Sequence, residues 1–246
     1  REYFLHLGEK VLAKAEVDEI LSDLAQAVID TSPYRRAIIS LYREPINLDD
    51  PRKTRVENFS YAGLSSEYEK KVNQLGKKQP KVNLDKFNEK YLVSNSYYVP
   101  YDEGSSKGNG SDAFIPSNKS EEEMDDWHPD DKLFIPLTKE NQVMGHISVD
   151  DPIDGRAPTT ERLQLIEGLA NLGSLALTKT QRIRELNKQK GKIRALHSAG
   201  YSFVQAETLD DLFEKTVNLI EENFHYNICT ILIKENGKLH HRASTT

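Results

Sequence analysis

The sequence predicts an α/β (α+β) fold, an antiparallel sheet flanked by helices and followed by a long helix. Three observations carry this. Apolar, strand-like runs at 133–137 and 143–149 are separated by a polar segment, 138–142, of a length that suits a hairpin loop. A stretch dense in Asp, Pro and Gly, 150–158, then leads directly into a helical pattern that meets no strong breaker before about Gly200. Finally, the helix-then-strand pattern that opens the chain recurs 192 residues later.

The elements follow in order. Residues 1–31 read as two helical pieces. Tyr3, Phe4, Leu7, Val11 and Leu12 give the first an apolar face, and Val17, Ile20, Leu21, Leu24, Ala25, Val28 and Ile29 give the second one. Thr31-Ser32-Pro33 ends it, because proline disfavours helical geometry in the residue before it. A first strand is expected at 37–42, a turn with two prolines at 44–52, and a second strand without a clean polar face at 55–62. Short charged helices are expected at 65–78 and 83–91, and another strand at 93–100. Residues 102–126 hold few apolar side chains and are expected to form a mobile loop or lid. Thr159 or Thr160 caps the long helix, and Glu161 and Glu167 favour its positive end. Along it Leu165, Leu172, Leu186 and Ile193 are spaced by sevens, with Leu175 and Leu196 at the matching second position. Lys179, Arg182 and Gln189 share this seam, so a parallel homodimer contact and a solvated connector are both open readings.

The repeat aligns Val17 with Leu209, Val28 with Ile220, Tyr34 with Tyr226 and Ile39 with Ile231. It predicts a second unit opening as helix and strand, then turning at Asn236-Gly237. Two strands cannot bury a sheet face well, so this unit is expected to be truncated or completed by another chain.

Composition excludes several classes. With 37% hydrophobic and 29% charged residues, a net charge of −6 and no basic block, nucleic-acid binding is disfavoured. No apolar run is long enough to span a membrane, so no membrane contact is expected. One cysteine, Cys229, leaves no disulfide framework or thiolate metal site and suits a reducing, cytoplasmic setting. The absence of an initiator Met suggests a fragment of a longer protein. No catalytic signature occurs, and the glycines and lysine of 104–110 lack the Gly-Lys-Ser/Thr ending of a phosphate loop.

One run of residues carries a resemblance. Trp127, Pro129 and Asp131, then Pro136-Leu137, Gly145, Ser148-Val149-Asp150, Pro152, Asp154-Gly155 and Pro158-Thr159 stand in the order seen in the C-terminal half of a GAF domain. Ser96-Tyr-Tyr-Val-Pro100 resembles a strand of some members. The resemblance implies a GAF-like antiparallel sheet of about six strands. It implies a complete GAF-like sensory domain at 1–182, a connector helix at 183–200, and the N-terminal part of a second GAF-like domain at 193–246.

Candidate ligand-binding residues are Phe59, Tyr61, Tyr97, Tyr98, Trp127, His128 and His146. The aromatic rings could line a cavity by stacking, or be core. Alternation puts Met144, His146 and Ser148 on one strand face and Val143, Gly145, Ile147 and Val149 on the other. His146 is then a pocket residue, a haem ligand, or a hydrogen-bonded histidine on a half-buried face. Asp125, Asp126, His128, Asp130 and Asp131 form an acidic cluster, read as a polar turn rather than a metal site. Covalent bilin attachment needs a cysteine that the first domain lacks. Asp85-Lys86-Phe87-Asn88-Glu89 only echoes, out of order, the pattern of cyclic-nucleotide-binding members. No cofactor is identified.

The resemblance implies a non-catalytic, small-molecule-sensing domain of a prokaryotic signalling protein. It would relay ligand state through the long helix to an output domain such as a histidine kinase, a nucleotide cyclase or a DNA-binding activator. The alternative is a ligand-free dimerisation scaffold. An enzyme such as a sulfoxide reductase would need reactive cysteines that the first domain does not have.

Overall fold

The computed structural model describes residues 13, 16–49, 53–103, 117, 119–120, 122, 124–224 and 228–245. The expectations for residues 3–12 and for most of the 102–126 loop lie outside these. The chain divides after Gln181 into two compact units.

The first unit opens with α1 (Val17–Thr31), whose buried residues Ile20, Leu21, Leu24, Ala25 and Val28 sit at the spacing of one helical face. Strand β1 (Tyr34–Asn47) follows and runs through the stretch read as a turn, because Ile46 and Asn47 pair with Val143 and Gln142 across an irregularity in register. Next come β2 (Val56–Ala62), α2 (Ser66–Lys77), and two short 3-10 turns at Asp85–Phe87 and Glu89–Tyr91 where a charged helix was expected. The strand expected at 93–100 is a small hairpin, β3 (Leu92–Val93) and β4 (Ser96–Val99). Strands β5 (Lys132–Lys139) and β6 (Gln142–Pro152) form the predicted hairpin, and α3 (Thr160–Val204) runs on from it unbroken for 45 residues.

The six strands form one antiparallel sheet in the order β2-β1-β6-β5-β4-β3, so the first and sixth strands are central neighbours. One face carries α1 and the first part of α3. There Leu24, Val28, Leu163, Ile166, Leu169 and Leu177 close over Ile39, Leu133, Ile135, Ile147 and Val149 in the main core. The other face carries a smaller core of Tyr42, Ile46, Val56, Val82, Phe87, Tyr91, Tyr97, Val99, Phe134 and Val143.

The strict alternation expected along β6 breaks at Gly145. Leu137 pairs with Gly145 but Thr138 pairs with Val143, so Met144 is the extra residue of a β-bulge. Met144 therefore joins the helix-side core, within 4.0 Å of Thr178 Oγ1, and leaves the face of His146 and Ser148. Val143 moves to the opposite core by the same half-step. Strand β2 behaves alike. It slips between Asn58 and Val56 against β1, and Val56 joins the smaller core while Ala62 joins the main one.

Arg36 anchors the end of β6 from a buried position. It forms ion pairs with Asp150 and, at 3.0 Å, with Asp151. Burial outweighs the guanidinium and pushes the Asp150 carboxyl up to about 6.

The second unit holds the remainder of α3, then α4 (Leu209–Phe224) and a hairpin of β7 (Thr230–Glu235) and β8 (Lys238–Ser244) turning at Asn236 and Gly237. Asn236 and Gly237 both have positive φ, as a tight hairpin turn requires. Helix α4 starts 192 positions after α1, the offset of the sequence repeat. Among the described residues no helix is long and apolar enough to cross a membrane.

Candidate functional site

The face of the sheet away from α1 and α3 is built by register. Ile38, Ser40, Phe134, His146 and Ser148 point to it, because Phe134 is opposite Ser148 and Ser40 opposite His146. Phe59 pairs with Ser40 and Tyr61 with Ile38, which brings both rings to the same side. Helix α2 lies over them. Tyr61 accepts a hydrogen bond from Asn73 Nδ2 at 3.0 Å, and Gly76 leaves room for Phe59, whose ring occupies the space a Cβ there would need. Between sheet and α2 is a cavity lined by Ile38, Ser40, Phe59, Phe134, His146 and Ser148, among others. Its free volume is about 50 Å³. That is room for a water or two, whereas pockets for metabolites are roughly 300–1,000 Å³.

The polar wall of the cavity is His146. It is buried, with Tyr42 Oη 2.7 Å from Nδ1 and Lys86 Nζ 3.2 Å from Nε2. Lys86 is buried too, 4.3 Å over the Phe134 ring and 5.4 Å over Phe87. An ammonium can only donate. His146 Nε2 therefore accepts from Lys86, and the ring proton sits on Nδ1, which donates to Tyr42. Burial first, and the Lys86 charge second, hold this imidazole well below the ordinary histidine range.

The native His146 ring is expected to stay neutral well below the pH, about 6.5, at which the unfolded chain takes up its proton. The unfolded state then binds more protons, so this residue makes stability fall as the pH drops below about 6.5, by up to about 1.4 kcal/mol per pH unit. Long-range proton–nitrogen correlation spectra check the ring directly, with Nδ1 protonated and Nε2 bare throughout. In Lys86→Met the His146 pKa is expected to rise yet remain below the ordinary value, because burial is the larger cause.

Of the residues chosen from sequence, the structure brings Phe59, Tyr61, Tyr97 and His146 to this face. Tyr97 packs edge-on against Phe87 at 5.3 Å and is opposite Phe134 in register. The structure does not bring Tyr98, Trp127 or His128 there. Tyr98 is opposite Leu133 on the helix side, and its hydroxyl donates to Asp131 at 2.5 Å. Trp127 is 2% exposed in the main core, between Tyr34 and Tyr98. His128 stacks on Tyr101 at 3.6 Å in the turn before β5. The acidic residues around His128 have structural partners. Asp131 accepts from Tyr98, from the Tyr101 amide at 2.9 Å and from the His128 amide at 2.8 Å. Asp126 accepts from the Ala157 amide, and Asp125 pairs with Arg156. Among the described residues no three His, Cys, Asp or Glu side chains converge as a metal site. Sequence reasoning did not select Lys86 or Tyr42. A lysine inside the apolar spacing of Val82, Leu84 and Phe87 is the only signal, and a weak one.

No protein-family model matches the sequence, and no curated protein does. Solved structures do resemble the fold. A bacteriophytochrome of R. palustris matches with a TM-score of 0.54 at 12% identity, over 90% of this chain and 46% of that one. The GAF domain of an Acinetobacter phosphoenolpyruvate-protein phosphotransferase matches at 13% identity over 74% of this chain and 94% of that chain, with a TM-score of 0.45. A GAF domain/HD domain protein from Geobacter sulfurreducens matches at 13% identity over 68% and 95%, with a TM-score of 0.45. Six antiparallel strands in this order, with two helices on one face and a small cavity on the other, give the first unit the GAF-domain fold.

Proposed function

We propose that the first unit is a non-catalytic regulatory domain of a signalling protein, sensing a small molecule in the cavity beside His146. The observation that carries this is the buried chain Tyr42–His146–Lys86. Burying an imidazole and an ammonium is expensive, and a purely structural face is cheaper to fill with apolar residues. Ser40 and Ser148 add hydroxyls to the same wall and Phe59 and Phe134 add rings, with Tyr61 and Tyr97 on the same face of the sheet. Because the free volume is small, the ligand enters by displacing Phe59 and α2 from the sheet. Tyr98, Trp127 and His128 stay outside this binding set. The signal leaves through α3 toward an output domain of the same protein, a histidine kinase, nucleotide cyclase or DNA-binding activator. The second unit is the N-terminal part of a second GAF-like domain, by the coincident starts of α1 and α4 in the repeat.

A second reading has its own support. Leu175, Leu186, Ile193 and Leu196 are exposed at heptad spacing on α3, and the cavity is nearly closed. A parallel homodimer through α3, with no ligand, accounts for both. Thermal melting with nucleotides, haem and small metabolites separates the two. A ligand at a hundred times its Kd adds about 2.7 kcal/mol. A rise in Tm is expected for one class, lost in a Ser148→Phe variant that fills the cavity but still melts cooperatively. No rise with any class, in a chain that is dimeric by light scattering, supports the scaffold and overturns the sensor.

A further inference from the structure

Glu167 has a role that the helix alone does not explain. It lies on α3 beside Ile166 and is 8% exposed. From the sequence it counts as a charge favouring the start of the helix, yet its carboxylate is bound to the sheet. Oε1 accepts from the Asn95 amide at 2.8 Å and Ser96 Oγ at 2.8 Å, and Oε2 accepts from Ser94 Oγ at 2.9 Å and Asn95 Nδ2 at 3.3 Å. Ser94 and Asn95 are the turn between β3 and β4, and Ser94 is held at φ 59, in the left-handed region. Four donors on one buried carboxylate compensate its desolvation.

The turn leads straight to the cavity. Tyr97 follows Ser96, faces the other side of the sheet, and is opposite Phe134, which lines the cavity. We infer that Glu167 is the positioning residue that transmits the state of the cavity to α3: a shift of Phe134 and Tyr97 moves the turn, and the turn pulls the helix through the carboxylate. Strands alternate faces, so a short hairpin is a lever between cavity and helix. This rests on the reading of the cavity as the sensing site.

The test needs no ligand, because Ser148→Phe fills the cavity opposite Phe134 in the full chain. Backbone amide shifts and hydrogen exchange of residues 163–181 are recorded for wild type, Ser148→Phe, Glu167→Gln and the double variant. The filled cavity is expected to perturb 163–181 strongly with Glu167 present, and the perturbation is expected to be largely lost in the Glu167→Gln background. A merely structural Glu167 lowers Tm but leaves the two effects additive. Equal perturbation in both backgrounds overturns the latch. Where Ser148→Phe does not fold, Phe134→Leu serves as the cavity change, read the same way. The outcomes are independent of ligand screening. Coupling in these variants together with no Tm rise for any ligand class sinks the sensor and keeps the latch, and a ligand that still perturbs 163–181 in Glu167→Gln sinks the latch and keeps the sensor.

Discussion

Trp127→Ala is expected to destabilise the first unit by about 3–5 kcal/mol while leaving the His146 ring in its native tautomer. Trp127 is 2% exposed, meets Tyr34 edge-on at 5.9 Å and Tyr98 at 5.8 Å, and fills the main core where the segment before β5 crosses the turn after β6. Its backbone is tied there as well. The amides of Asp125, Asp126 and Trp127 all donate to the Gly155 carbonyl, at 2.8, 3.2 and 3.0 Å. Gly155 can offer that carbonyl because it takes φ 69 with Met124 packed against it, 2.8 Å from where a Cβ would be. Deleting the indole leaves a void between two crossing loops that are held by backbone hydrogen bonds and cannot collapse to fill it. Trp127→Phe keeps a ring against Tyr34 and removes the indole N–H, which is buried without a hydrogen-bond partner among the described residues. It is expected to cost much less, of order 1 kcal/mol. Urea unfolding followed by circular dichroism measures both, since fluorescence of the sole tryptophan is lost. A cost for Trp127→Ala under about 1 kcal/mol, or a changed His146 spectrum in a folded Trp127→Ala protein, would contradict this placement.

The role of Trp127 shows what the sequence made legible and what it hid. The residues that gave the fold away, Trp127, Asp131 and Gly155, sit in turns whose shape needs particular residue types, with the His128 amide on the Asp131 carboxylate and the Gly155 amide on the Pro152 carbonyl, and such turns leave fixed spacings in a sequence. The amphipathic stripes of α1 and α3 were readable for the related reason that burial on one helix face recurs at helical spacing. The site was harder. Aromatic type alone put Trp127, Tyr98 and Tyr97 in one set, and the sheet then divides them between its faces. Tyr97 and Tyr98 are neighbours, and neighbours on a strand point opposite ways. Lys86 reaches His146 across sixty residues of chain, and Glu167 reaches Ser94 across seventy-three. Contacts at that separation depend on topology and register, which no short pattern records. The bulges defeated the alternation argument directly, since one extra residue at Met144 exchanges the faces of everything beyond it.

Beside that bulge, Gly145 is a position on β6 with no room for a side chain. In Gly145→Ala the new methyl carbon would lie 2.3 Å from the Ser40 carbonyl oxygen and 3.1 Å from Leu41 Cα. Both are backbone atoms of β1, so no side chain can turn aside. Gly145 is paired with Leu41 on one side and Leu137 on the other, so β6 cannot back away without breaking pairing with one neighbour. Alanine recovers roughly 0.5–1 kcal/mol of backbone entropy, which is less than the overpacking penalty. A net loss of about 2–3 kcal/mol is expected, read from the urea midpoint at an unchanged m-value. The displacement has a direction. His146 is the next residue and pairs with Ser40, the residue whose carbonyl is struck, so its ring must shift against Lys86 and Tyr42. The Nε2 resonance of His146 is therefore expected to move in Gly145→Ala, whereas Trp127→Ala leaves it in place. A Gly145→Ala protein as stable as wild type, with the His146 resonance unmoved, would mean that β6 carries no bulge at Met144. The division of its side chains between core and cavity would then fall with it.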